Sequence, residues 1–254
     1  MSITPVLDLI DDELIIPAPD VSHLVTEDDT PVDNIFSERQ MALLRETLYT
    51  SWAGPGDGRS FVAMGNVALY ATNFTPPLVP DLLLSLDVTL PDEPTLKEHR
   101  SYFLWLYGKP PEVVIEIVSN RKGGELSNKL LDYARLGVAY YIVYDPEEEI
   151  SEEPLRIFSR RGASYAETDE RWLAEVALGL TIWRGVYGGM EGDWLRWVDA
   201  NGTLLATGPE AKAQERQHTE QERQRTEQER QRVELLAAKL RELGVNPEEI
   251  LSGR

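Results

Sequence analysis

The sequence predicts an α/β (α+β) fold: a mixed sheet laid down in the order helix–strand–strand–strand–helix–strand, then extra C-terminal strands and a long C-terminal helix. Three observations carry this prediction. The run Val113-Val114-Ile115-Glu116-Ile117-Val118 is short, β-branched and bounded by Pro111 and Ser119-Asn120, as a strand buried on both faces must be. A helical stripe at Leu126, Leu130 and Tyr133 ends at Gly137, and a second β-rich run, Ala139 to Tyr144, follows at once. Strand, helix and strand in that order make a right-handed parallel crossover. The third observation is a seven-residue repeat near the C-terminus, ERQHTEQ, ERQRTEQ and ERQRVEL from Glu215, Glu222 and Glu229.

Residues 1–33 hold nine acids and no Lys or Arg, among prolines and isolated aliphatics, and read as an extended acidic arm. Ser37 and Gln40 have capping-box spacing, and Met41, Leu44 and Leu48 continue at helical spacing, so a helix is expected over 37–52. Gly54-Pro55-Gly56-Asp57-Gly58 ends it. Phe61 to Ala71 and Val79 to Val88 read as strands separated by Pro76-Pro77. Residues 91–110 form a polar and aromatic insertion with His99, Arg100, Tyr102, Trp105 and Lys109, either a substrate-facing lid or a packed excursion, the second being favoured.

Gly123-Gly124 opens the next helix, expected over Glu125 to Leu136. After Leu155 come short strands: LRIFSR, SYAE, Trp172 to Leu178 and TIWRGVY. Trp194 to Val198 and Thr203 to Ala206 flank an Asn201-Gly202 turn. The tail carries Thr219 and Thr226 where a zipper wants aliphatics, and only later a seam of Val233, Leu236, Leu240 and Leu243. Pairs such as Arg216 with Glu220 and Arg223 with Glu227 lie one helical turn apart. Gly244 stops the helix and Asn246-Pro247-Glu248 starts a last turn. The expected division is 1–33, 34–208, 209–243 and 244–254.

The chain has 254 residues, 42% apolar and 27% charged, and a net charge of −19. That charge opposes broad non-specific binding to nucleic acid. The tail is balanced, so the acidic excess lies in the arm and the body. No apolar run spans a bilayer and no basic leader is seen, so a cytoplasmic, membrane-free protein is expected. With no Cys and three scattered His, a metal would be a hard cation on oxygen ligands.

Glu116 is the anomaly in the central strand, because a lone buried carboxylate is costly unless paired, protonated or bound to a cation. Lys129 falls inside the apolar stripe of the following helix, where it could reach that acid. Asp81 opens the neighbouring strand, so Asp81 and Glu116 can share one end of the sheet. Two carboxylates that close repel, and Mg²⁺ or Mn²⁺, with the Ile117 carbonyl as a further ligand, resolves the repulsion. A cation beside a Lys suits phosphodiester hydrolysis. A purely structural Glu116–Lys129 ion pair is the alternative.

The text PDLLLSLDV, PPEVVIEIVSN and ELSNKLLDYARLGVAYYIVYDP resembles the Uma-type restriction endonucleases of the PD-(D/E)xK nuclease superfamily. The resemblance runs over about residues 36–207. It implies a restriction-endonuclease-like fold and a Mg²⁺-dependent endonuclease acting on DNA, and a homo-oligomer, a dimer at the simplest, is plausible alongside it. It makes Asp81 and Glu116 metal ligands and catalytic residues. The superfamily Lys two residues after the acid is Val118 here, and Lys129 is the match on the next helix. Glu125 falls where the family often has an acid; it assists the metal, orients Lys129, or is an ordinary acid at a helix start. Tyr133 reads as core by its spacing, with a supporting role as the alternative. Arg121 and Lys122 would meet phosphates or solvent. The competing reading is a silent nuclease-derived scaffold assembled through its tail.

Overall fold

The structure is a computed structural model, and it describes residues 9–10, 13–14, 18–26, 34–56, 58–119 and 125–243. Most of the acidic arm, Asn120 to Gly124 with Arg121, Lys122 and the glycine pair, and the expected turn after Gly244 lie outside the described residues.

Two two-residue strands, β1 (Leu9–Ile10) and β2 (Glu13–Leu14), pair antiparallel. Helix α1 (Ile35–Ser51) starts two residues earlier than expected. Its N-cap is Asn34, whose side chain accepts from the Ser37 N–H at 2.8 Å, so the Ser37–Gln40 capping box does not form. Gln40 is buried instead: its amide donates to the Leu195 carbonyl (2.8 Å) and accepts the Leu195 N–H (2.9 Å). A side chain that supplies both halves of a ladder pair to a strand is worth more there than at a cap.

The expected strand from Phe61 to Ala71 breaks in two, β3 (Phe61–Gly65) and β4 (Leu69–Tyr70). Between them Asn66 takes φ 53°, the left-handed region that Asn tolerates, and the chain turns off the sheet. Strand β5 (Leu82–Leu86) is fully buried. The insertion folds into a single 3₁₀ turn (Lys97–His99), β6 (Tyr102–Phe103) and the one-turn helix α2 (Leu104–Tyr107). Then come β7 (Val113–Ile117), α3 (Asn128–Leu136), β8 (Tyr140–Tyr144), β9 (Leu155–Arg161) and β10 (Ser164–Thr168). Helix α3 starts three residues later than expected, and Gly137 closes it at φ 92°.

These strands form one six-stranded sheet in the order β10-β9-β8-β7-β5-β3. Its β7–β8 pair is parallel and its other pairs are antiparallel, as a crossover through α3 requires. Three further strands, β11 (Trp172–Leu173), β12 (Leu178–Tyr187) and β13 (Met190–Val198), make a second antiparallel sheet. The expected strand after the Asn-Gly turn is a single bridge, Val198 to Leu204.

Alternation along β7 divides the core. Val113, Ile115 and Ile117 face a cluster with Met41, Leu44 and Leu48 of α1 and Leu195 and Trp197 of β13. Val114 and Val118 face the other side, with Tyr133 of α3 and Tyr141 and Val143 of β8. Glu116 has the parity of Val114 and Val118, so it enters the α3 side.

The chain divides into two compact units, residues 1–205 and 206–254. The second holds α4 (Gly208–Glu242), started by a reciprocal capping box between Thr207 and Glu210. Arg223 bonds Glu220 and Arg230 bonds Glu227, each three residues back, in place of the expected forward pairing of Arg223 with Glu227. Helical side chains lean toward the N-terminus, so the shorter contacts are to the preceding acid, and the forward pair Arg230–Glu234 is longer, at 3.9 Å. Among the described residues no helix is long and apolar enough to cross a membrane.

Candidate active site

Antiparallel pairing of β5 with β7 sets Leu82 against Ile115 and Leu84 against Val113. One step further in the same register, Asp81 stands opposite Glu116 where the two strands end. Asp81 Oδ2 accepts the Ile117 N–H at 2.6 Å, which holds its carboxylate at the mouth of the ladder.

Glu116 is 2% exposed. Lys129 Nζ donates to its Oε2 at 2.9 Å and the Tyr133 hydroxyl donates to its Oε1 at 2.9 Å. Both donors come from α3, four residues apart and so on one helix face. Lys129 also donates to Glu125 Oε1 at 3.2 Å. The second Glu125 oxygen is buried with no hydrogen-bond partner among the described residues. Its backbone carbonyl accepts the Tyr141 hydroxyl (2.9 Å), so β8 anchors the approach to α3.

Burial pushes the Glu116 carboxyl up to about 7. Lys129 pulls it back, Asp81 raises it again, and the hydrogen bonds from Lys129 and Tyr133 lower it. At Lys129 burial would lower the ammonium, but Glu116 and Glu125 outweigh it and the net shift is upward. The two shifts differ in what wins because Lys129 keeps about a third of its side chain in solvent and Glu116 keeps almost none. Lys129 is therefore a cation and a hydrogen-bond donor at neutral pH. Tyr133 is pushed well above its ordinary range, first by burial and then by Glu116, so it too is a donor.

The structure thus brings together Asp81, Glu116, Lys129, Glu125 and Tyr133. Tyr133 is core, as its spacing predicts, and its hydroxyl also reaches the acid; a Tyr four residues after a Lys on an inward stripe is the signal that could have shown this. Val118 is buried in the apolar cluster and supplies nothing polar. The groups of the insertion are used internally. Tyr102 bonds Ser85 (2.8 Å) and the Lys109 carbonyl (3.0 Å), Trp105 stacks on Phe103, and Lys109 pairs with Glu112. His99 and Arg100 bond the carbonyls of Glu93 and Thr95.

Among the described residues no three His, Cys, Asp or Glu side chains converge as a metal-holding set. Asp81 and Glu116 lie close enough for the first to raise the pKa of the second, and two carboxylates are hard oxygen donors of the kind that suits Mg²⁺, a cation that keeps several of its own waters.

The model of one protein family, described as Uma2, putative restriction endonuclease, matches residues 29–182. No curated protein and no solved structure matches the chain.

Proposed function

The chain belongs to the Uma2 family and has a restriction-endonuclease-like fold, and from that premise we propose that it is a metal-dependent endonuclease hydrolysing DNA phosphodiesters. The observation that carries the reading is Glu116: a carboxylate buried in a central strand, opposite a second carboxylate, with a Lys and a Tyr on its two oxygens. Asp81, Glu116 and the Ile117 carbonyl would hold Mg²⁺ or Mn²⁺. When bound, that ion lowers the pKa of a water and neutralises charge developing on phosphate.

The protein's own groups divide the remaining work. Tyr133 fixes one oxygen of Glu116 and turns the other toward Lys129. Lys129 keeps its proton, so it orients the attacking water or a phosphate oxygen by donation, and does not act as a base. Glu125 holds Lys129 from the far side and keeps the ammonium charged. The Asp81 bond to the Ile117 N–H keeps the two carboxylates in register. The acidic body supplies little general DNA affinity, so binding rests on local contacts.

The test is cleavage of supercoiled plasmid and of single-stranded DNA with Mg²⁺ or Mn²⁺, by wild type, Glu116→Gln and Lys129→Ala. Wild type should cut, and each variant should lose at least about a hundredfold, the scale of one preorganised charged group. Cleavage that survives both substitutions refutes the site. No cleavage by wild type, with no metal-induced rise in melting temperature, leaves a nuclease-derived scaffold.

A further inference from the structure

The β3–β5 hairpin does not end with the sheet. Its register runs from Phe61 opposite Leu86 to Gly65 opposite Leu82, and the Asn66 N–H then donates to the Asp81 carbonyl at 3.1 Å. The same register reappears at Leu69 and Leu78, bonded in both directions at 2.7 and 3.1 Å. It then sets Thr72 opposite Thr75, whose hydroxyls lie 3.1 Å apart. The two strands that frame Asp81 therefore continue past it as an arm, with Asn73-Phe74 as its two-residue tip.

The tip is held. The Phe74 N–H donates to Thr72 Oγ1 (3.2 Å), and the Asn73 carbonyl meets His23 Nε2 (2.7 Å). Val21 and Leu24, flanking that His, are buried against Tyr70 and Phe103, and Lys97 Nζ donates to the Ser22 carbonyl (2.7 Å). A separate piece of chain thus braces the arm. On this braced tip the Phe74 ring is 88% exposed. A single exposed apolar residue ordinarily calls for no explanation. This one sits on an ordered arm that springs from the proposed active site.

We propose that Phe74 is a substrate-binding residue whose ring stacks on an unstacked nucleobase of the strand held at Asp81 and Glu116. The proposal rests on the nuclease reading and adds the contact by which an acidic protein grips its substrate. Phe74 lies seven positions before Asp81, a reach of at most about 25 Å. Bases lie about 3.4 Å apart along one strand, so the contacted base is within about seven nucleotides of the cleaved phosphate. A protein with net charge −19 gains little from phosphate contacts. An aromatic face offers affinity that does not need positive charge, and it tolerates any base.

The experiment uses a fluorescein-labelled single-stranded oligonucleotide of mixed sequence and about 20 nucleotides. Its anisotropy is titrated with full-length Glu116→Gln protein in Mg²⁺, carrying Phe74, Phe74→Ala, Phe74→Leu or Phe74→Trp. Loss of one stacked base should weaken binding about tenfold in the Ala and Leu variants, and Trp should restore it. The ratio of Phe to Ala affinities should hold between 50 and 200 mM salt while both affinities fall. In the otherwise wild-type chain, Phe74→Ala should raise KM for plasmid and leave kcat unchanged. Equal binding by the Phe and Ala proteins overturns this proposal alone. Tight binding by the Leu variant overturns stacking. No DNA binding by the parent and no cleavage by wild type overturns the nuclease reading, and this proposal with it.

Discussion

The stability of a Glu116→Gln variant relative to wild type should rise with pH between about 5 and 8. The folded state holds the Glu116 proton up to about 7, whereas an unfolded Glu releases it near 4.5. Between those values the native state binds more protons than the unfolded state, so wild-type stability falls as pH rises. The gap between the two values is equivalent to about 3 kcal/mol, of which about 2–3 kcal/mol accrues between pH 5 and 8. The amide of the Glu116→Gln variant has no proton to lose, and Lys129 keeps its bond to Glu125 in that variant. The assay is urea denaturation followed by Trp fluorescence, in chelator, at half-unit steps from pH 5 to 8, above the sequence pI of about 4.6. The stability difference, variant minus wild type, should climb by about 2–3 kcal/mol and flatten above pH 7. Two parallel pH profiles would mean that Glu116 is ionised in the native state throughout, and the reasoning would fail. A group that destabilises its own fold at working pH is a familiar cost of function.

Tyr133→Phe removes a buried donor from Glu116 and should cost about 1.5–3 kcal/mol by chemical denaturation, with a matching fall in cleavage; an unchanged midpoint would show that the hydroxyl is idle. Gln40→Ala strips two hydrogen bonds from Leu195 and should cost about 2 kcal/mol, read as a lower urea midpoint at constant slope. Thr207→Ala breaks the capping box at the start of α4 and should cost the helix about 1 kcal/mol, seen as lost far-ultraviolet ellipticity in the early turns; undiminished ellipticity would refute a role for the cap.

The matches and misses between sequence and structure have local physical causes. Gly137 ends α3 where the stripe predicts, because a positive φ at a helix end is a local property of glycine. Ser37 failed as a cap because Asn34 was available three residues earlier, and because Gln40 was wanted by a strand 155 residues away. The break at Asn66 is invisible in a hydrophobic pattern, since residues on both sides are equally apolar. The insertion read as either a substrate-facing lid or, the favoured alternative, a packed excursion, and its rings do fill space against β5 and the segment around Val21. Composition does not say whether an aromatic faces a ligand or a core.

The sequence by itself determined the buried strand, its misplaced Glu116, the parallel crossover and a Lys on the inward face of α3, because each follows from period and from the cost of burying charge. The tertiary structure alone decided which atoms meet Glu116. Register brought Asp81 opposite it, one helical turn added the Tyr133 hydroxyl, and the Asn66 kink carried the hairpin outward to Phe74. Those are distances set by packing between segments far apart in the chain, and no local preference encodes them.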